Sequence, residues 1–250
     1  AFTRNSESIG MVFRKTHRSW VVLALWALAV SQAWGQAPQG WVSVAAGQNL
    51  PRDWEWSAEG QLRTSSSLSR WSEGLVDLGI ERAFDALPGW SLGGQWRTGW
   101  EWPPEGGWTT SWRWATSAQW RTDIGDHKVG MRLRHQFGGP WMRPWDRARW
   151  RVQAKWTHDL PDGWKLEPSV ETFLGHRALT TETGIRLEPV ALRGRLTLDK
   201  KLAKRRHLTL GYQFQSAVHS RPSTPEHTVL LALDLELKKA KRRKKDTPSS

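Results

Sequence analysis

Charged side chains recur at every second position along several segments of this sequence, which could gather many charges on one surface. The basic members of this pattern are Arg113, Arg121, Arg132, Arg134, Arg149, Arg151 and Lys155. The acidic members are Glu55, Glu59, Asp77, Glu81, Asp234 and Glu236. Arginine forms bidentate, charge-assisted hydrogen bonds with carboxylates. The two sets therefore predict a network of ion pairs, provided that the fold turns them towards one enclosed space.

A second group of residues could in principle support hydrolysis, because histidine next to a hydroxyl or a carboxylate can act as a general base. The candidates in connecting segments are His176, Glu182, His219, Ser220, Glu226 and His227. No spacing signature joins them, and no HExxH, Walker A or GxGxxG motif is present. The absence of cysteine excludes disulfides, thiolate metal sites and cysteine nucleophiles. We therefore predict no catalytic residue, cofactor or metal site, and keep an enzyme acting on lipid A or peptides as the alternative.

The elements that must position these residues show a period of two, which is typical of β-strands, and no helical period. Trp90, Leu92, Trp96, Trp100 and Trp102 occupy even positions of one segment, while Ser91, Gln95, Arg97 and Glu101 occupy odd positions. Ten such segments cover residues 52–63, 75–84, 89–102, 108–122, 128–137, 148–158, 164–174, 192–202, 208–216 and 228–237. Most are as long as the 9 to 11 residues, roughly, that a tilted transmembrane strand needs. The pattern predicts an antiparallel, up-and-down transmembrane β-barrel of ten strands.

The connections between these segments are alternately short and longer, as in outer-membrane barrels, where short turns face the periplasm. With the short turns periplasmic, both ends of a ten-strand barrel are also periplasmic. Residues 41–46 would add an eleventh strand and break the even count, so we interpret residues 36–51 as a periplasmic lead-in. A further strand near residues 183–188 would give twelve strands, which is the alternative count.

Tryptophan is unusually abundant on the apolar side of the alternation, with 20 residues in the chain. Indole prefers the interface of a bilayer, where the ring is apolar and its N–H can reach water. The predicted girdle residues are Trp54, Trp56, Trp90, Trp100, Trp102, Trp108, Trp120, Trp156 and Trp164. We expect them to point outwards into lipid in two belts. The alternative is a soluble sandwich or small barrel with these side chains in its core.

Outward tryptophans leave the charged residues inside the barrel. In a ten-strand closure, residues 148–158 face residues 52–63, so that a basic wall would meet an acidic wall across the lumen. A ten-strand lumen is little wider than that of a filled eight-strand barrel. One interpretation is a packed ion-pair network that plugs and stiffens the barrel, with low or no conductance. The other is a narrow pore whose transverse field selects small polar or anionic solutes.

The two ends of the chain carry much of its net charge of +13. After a basic stretch, residues 20–30 are apolar but too short to span a bilayer, and Ala33 and Gly35 suit cleavage before Gln36. We predict an exported protein with a signal peptide at residues 11–35 (the alternative is a single-pass anchor) and an untranslated or artificial extension at 1–10. The barrel would occupy 52–237, and 238–250 would form a basic, disordered periplasmic tail. Nucleic-acid binding by that tail, or by a soluble form of the protein, is the competing hypothesis, and the export signal opposes it.

Several stretches resemble a bacterial family called domain of unknown function 2490. They are the export signal, "WVSVAAGQNLPRDWEWSAEGQLR", the step Glu171-Thr172-Phe173, and "LRGRLTLDKKLAKRRHLTLGYQF". The resemblance covers residues 41–237 and implies an outer-membrane barrel without an attributed activity. One departure is that the last strand ends at Leu237, whereas such barrels usually end on an aromatic residue that the assembly machinery reads.

Taken together, the sequence predicts an all-β, non-enzymatic protein of the Gram-negative outer membrane, with a structural role or a narrow pore. Its expected partners are the lipid bilayer, lipopolysaccharide and the outer-membrane assembly machinery. No nucleic acid or specific small molecule is expected as a partner.

Overall fold

The strands of this protein close into a barrel. The computed structural model describes residues 37–65, 68–140, 148–178, 185–218 and 225–237, and eleven strands lie within these ranges. They are β1 (Gln39–Asn49), β2 (Trp54–Thr64), β3 (Trp71–Ala83), β4 (Trp90–Glu101), β5 (Thr109–Ile124), β6 (His127–Pro140), β7 (Arg149–Leu160), β8 (Trp164–Ala178), β9 (Ile185–Ala203), β10 (Arg206–Ala217) and β11 (Glu226–Glu236). Consecutive strands pair antiparallel, and β1 pairs with β11 in parallel. The predicted all-β barrel is confirmed, but its strand count is not.

The predictions of ten or twelve strands are wrong, because the supposed lead-in forms β1. Val42 and Val44 of β1 are exposed, whereas Ser43 between them is buried, so this strand continues the alternation of the others. The extra strand proposed near residues 183–188 is not separate, since from Ile185 onwards the chain already belongs to β9. The expected loop at 175–191 is instead mostly the far end of the β8–β9 hairpin.

The prediction that both ends of the barrel chain lie on one side is also wrong. Each antiparallel hairpin reverses the chain, so the first and last strands of an odd-numbered barrel run in the same direction. Gln39 accordingly pairs with Thr228, and Gly47 with Glu236. The start of β1 and the end of β11 therefore lie at opposite ends of the barrel.

The connections define two different ends of the barrel. At one, called here the short-turn end, the connections have two to six residues: 50–53, 84–89, 125–126, 161–163 and 204–205. At the other, called the long-loop end, they have six to eight residues: 65–70, 102–108, 141–148, 179–184 and 218–225. In the described residues, no helix is long and apolar enough to cross a membrane.

Each strand turns its apolar side outwards, because successive side chains of a strand point to opposite faces. On β3, Val76, Leu78 and Ile80 are exposed, whereas Leu75 and Asp77 are buried inside. Exposed apolar side chains of the outer surface include Val44, Leu62, Leu92, Met131, Leu133, Val152, Val170, Leu192, Leu210 and Leu231. The lumen is filled mainly by polar and charged side chains, so the usual arrangement of a soluble protein is inverted.

Candidate functional site

The predicted charged residues all lie on strand positions that face the lumen. The basic residues Arg113, Arg121, Arg132, Arg134, Arg149, Arg151 and Lys155 line its cavities on β5, β6 and β7. The acidic residues Glu55, Asp77, Glu81, Asp234 and Glu236 line cavities on the other side. Glu59 pairs in register with Asp77 of β3 and so has the same orientation. The lumen therefore holds every member of the two predicted sets.

Glu171 on β8 is the centre of the ion-pair network. Its side chain accepts two hydrogen bonds from Arg151, at 2.9 Å (Nε to Oε1) and 2.6 Å (Nη2 to Oε2). Nη2 of Arg132 lies 3.2 Å from Oε1, and Nη1 of Arg193 lies 3.3 Å from Oε2. The residue is only 2% exposed. One carboxylate thus holds three guanidinium groups from β6, β7 and β9 together.

An aromatic ring lies beside this carboxylate on the same inner face. Phe173 is 2% exposed, and the guanidinium carbons of Arg149, Arg151 and Arg193 lie 5.1, 4.9 and 4.7 Å from the centre of its ring. A cation within about 6 Å of a ring face is attracted by the quadrupole of the ring. Phe173 therefore packs among the arginines without introducing a polar group that would need a partner.

Two further ion pairs extend along the neighbouring strands. Arg97 donates two hydrogen bonds to Asp77, at 2.8 and 2.5 Å. Arg63 donates to Glu73 at 2.7 Å, and its guanidinium carbon lies 3.9 Å from the centre of the Trp41 ring. Trp41 is thus an inward tryptophan of β1, in contrast to the outward tryptophans of the other strands.

The ion pairs run along the wall of the barrel. Each joins neighbouring strands or next-nearest strands, as Arg132 on β6 and Glu171 on β8 do. Glu55, Glu59, Asp234 and Glu236 take part in no ion pair within the described ranges. The described side chains therefore do not form the expected contacts between a basic wall and an acidic wall across the lumen.

Two cavities of the lumen lie at the short-turn end. A cavity of about 820 Å³ lined by Lys128, Lys155 and Glu167 and one of about 460 Å³ lined by Glu55, Asp234 and Glu236 lie there. Near the long-loop end, a cavity of about 200 Å³ lies beside Arg113 and Arg149. A cavity at mid-height, lined by Asp77, Arg97, Arg113, Arg134 and Arg151 among others, measures only about 10 Å³. Such a gap has room for roughly one water molecule.

The predicted girdle tryptophans lie on the outer face, near the strand ends. Trp54, Trp56, Trp90, Trp120, Trp156 and Trp164 lie towards the short-turn end, and Trp100, Trp102 and Trp108 towards the long-loop end. Trp102 and Trp108 lie just outside β4 and β5. A third group is closer to mid-height, where Trp96 stacks on Trp112 at 5.2 Å and lies 6.4 Å from Trp114.

The candidate catalytic residues are not brought together where the structure describes them. Glu226 faces the lumen, where it accepts a hydrogen bond from Gln215 at 3.2 Å. His227 follows it on the opposite face, where it is hydrogen-bonded to the hydroxyl of Tyr212. The side chain of His176 and the residues Glu182, His219 and Ser220 lie outside what the structure describes.

Several residues of the network were missed by the sequence analysis. Arg193 and Arg195 follow the same alternation on β9, and they donate hydrogen bonds to Gln215 and Gln213. The period of two would have found both, as well as Arg63 and Arg97. Glu171 entered only through the family resemblance. Phe173 belongs to the same step, but the alternation did not point to it, because an apolar residue at an inward position contradicts the pattern.

Comparison with solved structures finds barrels that are similar at low sequence identity. One, described as "KdgM porin", is 9% identical with a TM-score of 0.42, over 69% of this chain and 81% of that chain. Another, "Outer-membrane expressed OmpT of Vibrio cholerae", is 11% identical with a TM-score of 0.36, over 66% of this chain and 54% of that one. No curated protein matches this chain.

A protein family does match by sequence. Its profile, described as "Protein of unknown function (DUF2490)", matches residues 38–224, which is well over half of the chain. The match includes β1 to β10 and confirms the resemblance that the sequence suggested. This chain of alternating strands, with its charges enclosed and its apolar side chains outside, belongs to the DUF2490 family of proteins of unknown function.

Proposed function

We propose that this protein is an outer-membrane β-barrel of Gram-negative bacteria that serves as a structural or narrow-transport component of the envelope. The proposal depends on one observation, the exposed apolar surface around the barrel. Soluble monomers rarely expose contiguous apolar patches larger than a few hundred Å². A bilayer would cover this surface, and a closed barrel has no unpaired strand edge to expose to lipid.

Strand length and tryptophan position support the same proposal. The shortest strands have 11 residues. At roughly 3.3 Å per residue such a strand extends about 36 Å. Even with a tilt of about 40°, that length spans an apolar band of roughly 25 Å. The outward tryptophans near both barrel ends then lie where indole is most favourable.

The mid-height network supports a mostly closed lumen. Glu171 and its arginines occupy the interior, and one of these arginines, Arg151, also lines a mid-height cavity of only about 10 Å³. A lumen filled by paired side chains stiffens the barrel and restricts ion flow. The proposed role is non-enzymatic, with the bilayer, lipopolysaccharide and the assembly machinery as partners. The export signal at residues 11–35 would direct the chain to this location.

Membrane insertion can be tested by cell fractionation and by gel mobility. The protein should co-purify with the outer membrane, and its mobility should change on boiling, because a closed barrel resists the detergent of the gel until it is heated. A mature protein that is soluble and monomeric without detergent would contradict the proposal.

Conductance tests the closed lumen separately. Purified protein in planar bilayers should show low or no conductance. The double substitution Arg132→Ser with Arg151→Ser should produce reproducible channel steps, because it removes two of the side chains that fill mid-height. Arg121→Ser is the matched control, since its side chain is 67% exposed at the short-turn end. Large ion-selective steps from the unmodified protein would contradict the closed lumen.

A further inference from the structure

Two arginines inside the barrel have neither an ion pair nor a hydrogen-bond acceptor among the described residues. Within the described part of the chain, neither Arg113 on β5 nor Arg134 on β6 forms an ion pair, and no described residue accepts a hydrogen bond from either side chain. The Nε atom of Arg134 is buried without an acceptor. A buried charge without a partner is costly, because it has lost its hydration and gained nothing in return.

The surroundings of Arg113 increase this cost. The charged groups that act on it most strongly are themselves arginines: Arg149, Arg97, Arg151 and Arg63. Two of the nearby carboxylates are already engaged, since Asp77 binds Arg97 and Glu73 binds Arg63. Glu171, the carboxylate that acts on Arg134, is shared by three other guanidinium groups. Among the described residues that line the lumen here, arginines therefore outnumber carboxylates.

Arg113 also borders open space. The cavity of about 200 Å³ near the long-loop end is lined by Arg63, Arg97, Arg113 and Arg149. Two carboxylates line it too: Glu73, which binds Arg63, and Glu101 at the exposed end of β4. The residue paired with Arg113 on β6 is Gly138, at φ +149°, where an added Cβ would come within 2.2 Å of the Trp112 carbonyl oxygen. This glycine places no side chain beside the guanidinium group.

We propose that this cavity is a binding site for a small oxyanion, a carboxylate or phosphate group, held by Arg113. The planar guanidinium group offers paired N–H donors that match both kinds of group. Arg134, which lines the mid-height cavity together with Arg113, adds a second unpaired charge that draws the anion inwards. The inference rests on the proposed barrel function, and it names small oxyanions as the class of solute that the lumen would bind.

The site can be tested by titration calorimetry on the full-length protein in detergent. The probes are inorganic phosphate and citrate, with glucose as a neutral control, in a buffer free of other multivalent anions. The unmodified protein should bind one or both anions saturably and should not bind glucose. Comparing phosphate with citrate shows which oxyanion the site prefers. Absence of saturable binding by both anions would overturn the inference.

Arg113→Gln should weaken anion binding at least tenfold, whereas Arg121→Gln, at the exposed rim, should change it less than twofold. In anion-free buffer, Arg113→Gln should also raise the midpoint of thermal unfolding, because it removes an unpaired charge. Equal binding by Arg113→Gln and the unmodified protein would overturn the inference, as would a lower midpoint. Gel mobility with and without boiling checks the barrel itself, so that loss of the site and loss of the fold remain distinguishable.

Discussion

At the scale of single residues, Glu171 decides how the lumen is held together. It lies in the basic part of the wall, 2% exposed, and joins three arginines. The desolvation of buried ions can exceed their mutual attraction, so such a network does not by itself make a protein stable. Removing one member is different, because the remaining charges stay buried without compensation. Glu171 is therefore the position at which a single substitution should have the largest electrostatic effect.

We predict that Glu171→Gln lowers the free energy of unfolding by about 3 to 5 kcal/mol. Glutamine keeps the shape of the side chain but leaves Arg132, Arg151 and Arg193 without their shared carboxylate. The measurement is urea unfolding of the barrel in lipid vesicles, followed by tryptophan fluorescence. Glu167→Gln is the control. Its ion-pair partner among the described residues, Lys155, is 46% exposed, so the expected loss is less than about 1 kcal/mol. Equal losses for the two variants would disagree with the role given to Glu171.

Residue identity alone could predict part of this network. The inward arginines of β5 to β7 follow from the period of two, and all of them face the lumen. Their partners could not be predicted, because Glu171 is 39 residues from Arg132 and 20 from Arg151. Only the register of β6, β7 and β8 brings these atoms together. Phe173 escaped prediction because its environment, three guanidinium groups, is neither apolar nor aqueous.

At the scale of elements, β1 changes the topology of the barrel. Its alternation was visible in the sequence, but the even count of known bacterial barrels argued against assigning it as a strand. Because β1 brings the number of strands in the described chain to eleven, an odd number, it can close the barrel only in parallel with β11. Parallel pairing is slightly less stable per residue than antiparallel pairing. The seam between β1 and β11 is thus the most distinctive contact between elements in this fold.

Cysteine cross-linking can test the direction of this seam, since the chain has no cysteine of its own. Val42 pairs with Leu231, and Ala46 with Leu235, all on the outer face. We predict that the double variants Val42→Cys/Leu231→Cys and Ala46→Cys/Leu235→Cys form disulfides on mild oxidation. Val42→Cys/Leu235→Cys, with cysteines four positions out of register, should not, because bridged Cα atoms lie roughly 4.4 to 6.8 Å apart. Cross-linking of the control pair alone would indicate an antiparallel seam.

At the scale of the whole molecule, the parallel closure separates the two ends of the barrel chain. Pro38 precedes β1 at the long-loop end, and Leu237 follows β11 at the short-turn end. In a membrane, these residues would be on opposite sides. The lumen also differs between the two ends, because the two cavities at the short-turn end are larger in volume than the one at the long-loop end.

Labelling with a membrane-impermeant maleimide tests this arrangement in vesicles where insertion is mainly in one orientation. Glu105→Cys reports the side of the long-loop end, because residue 105 lies in the connection between β4 and β5. We predict that Pro38→Cys is labelled to the same extent as Glu105→Cys, and Leu237→Cys to the complementary extent. Equal labelling of Pro38→Cys and Leu237→Cys would show that both ends share one side, as an even-stranded barrel requires.

The sequence by itself determined which side chains point out and which point in. That distinction follows from the period of two, a local property of every strand. Apart from inward apolar residues such as Phe173, it held from Leu62 on β2 to Leu231 on β11. The tertiary structure alone decided the number of strands, the parallel closure and the partners of each arginine. These depend on the register between strands that are distant along the chain, and no local pattern of residues records that register.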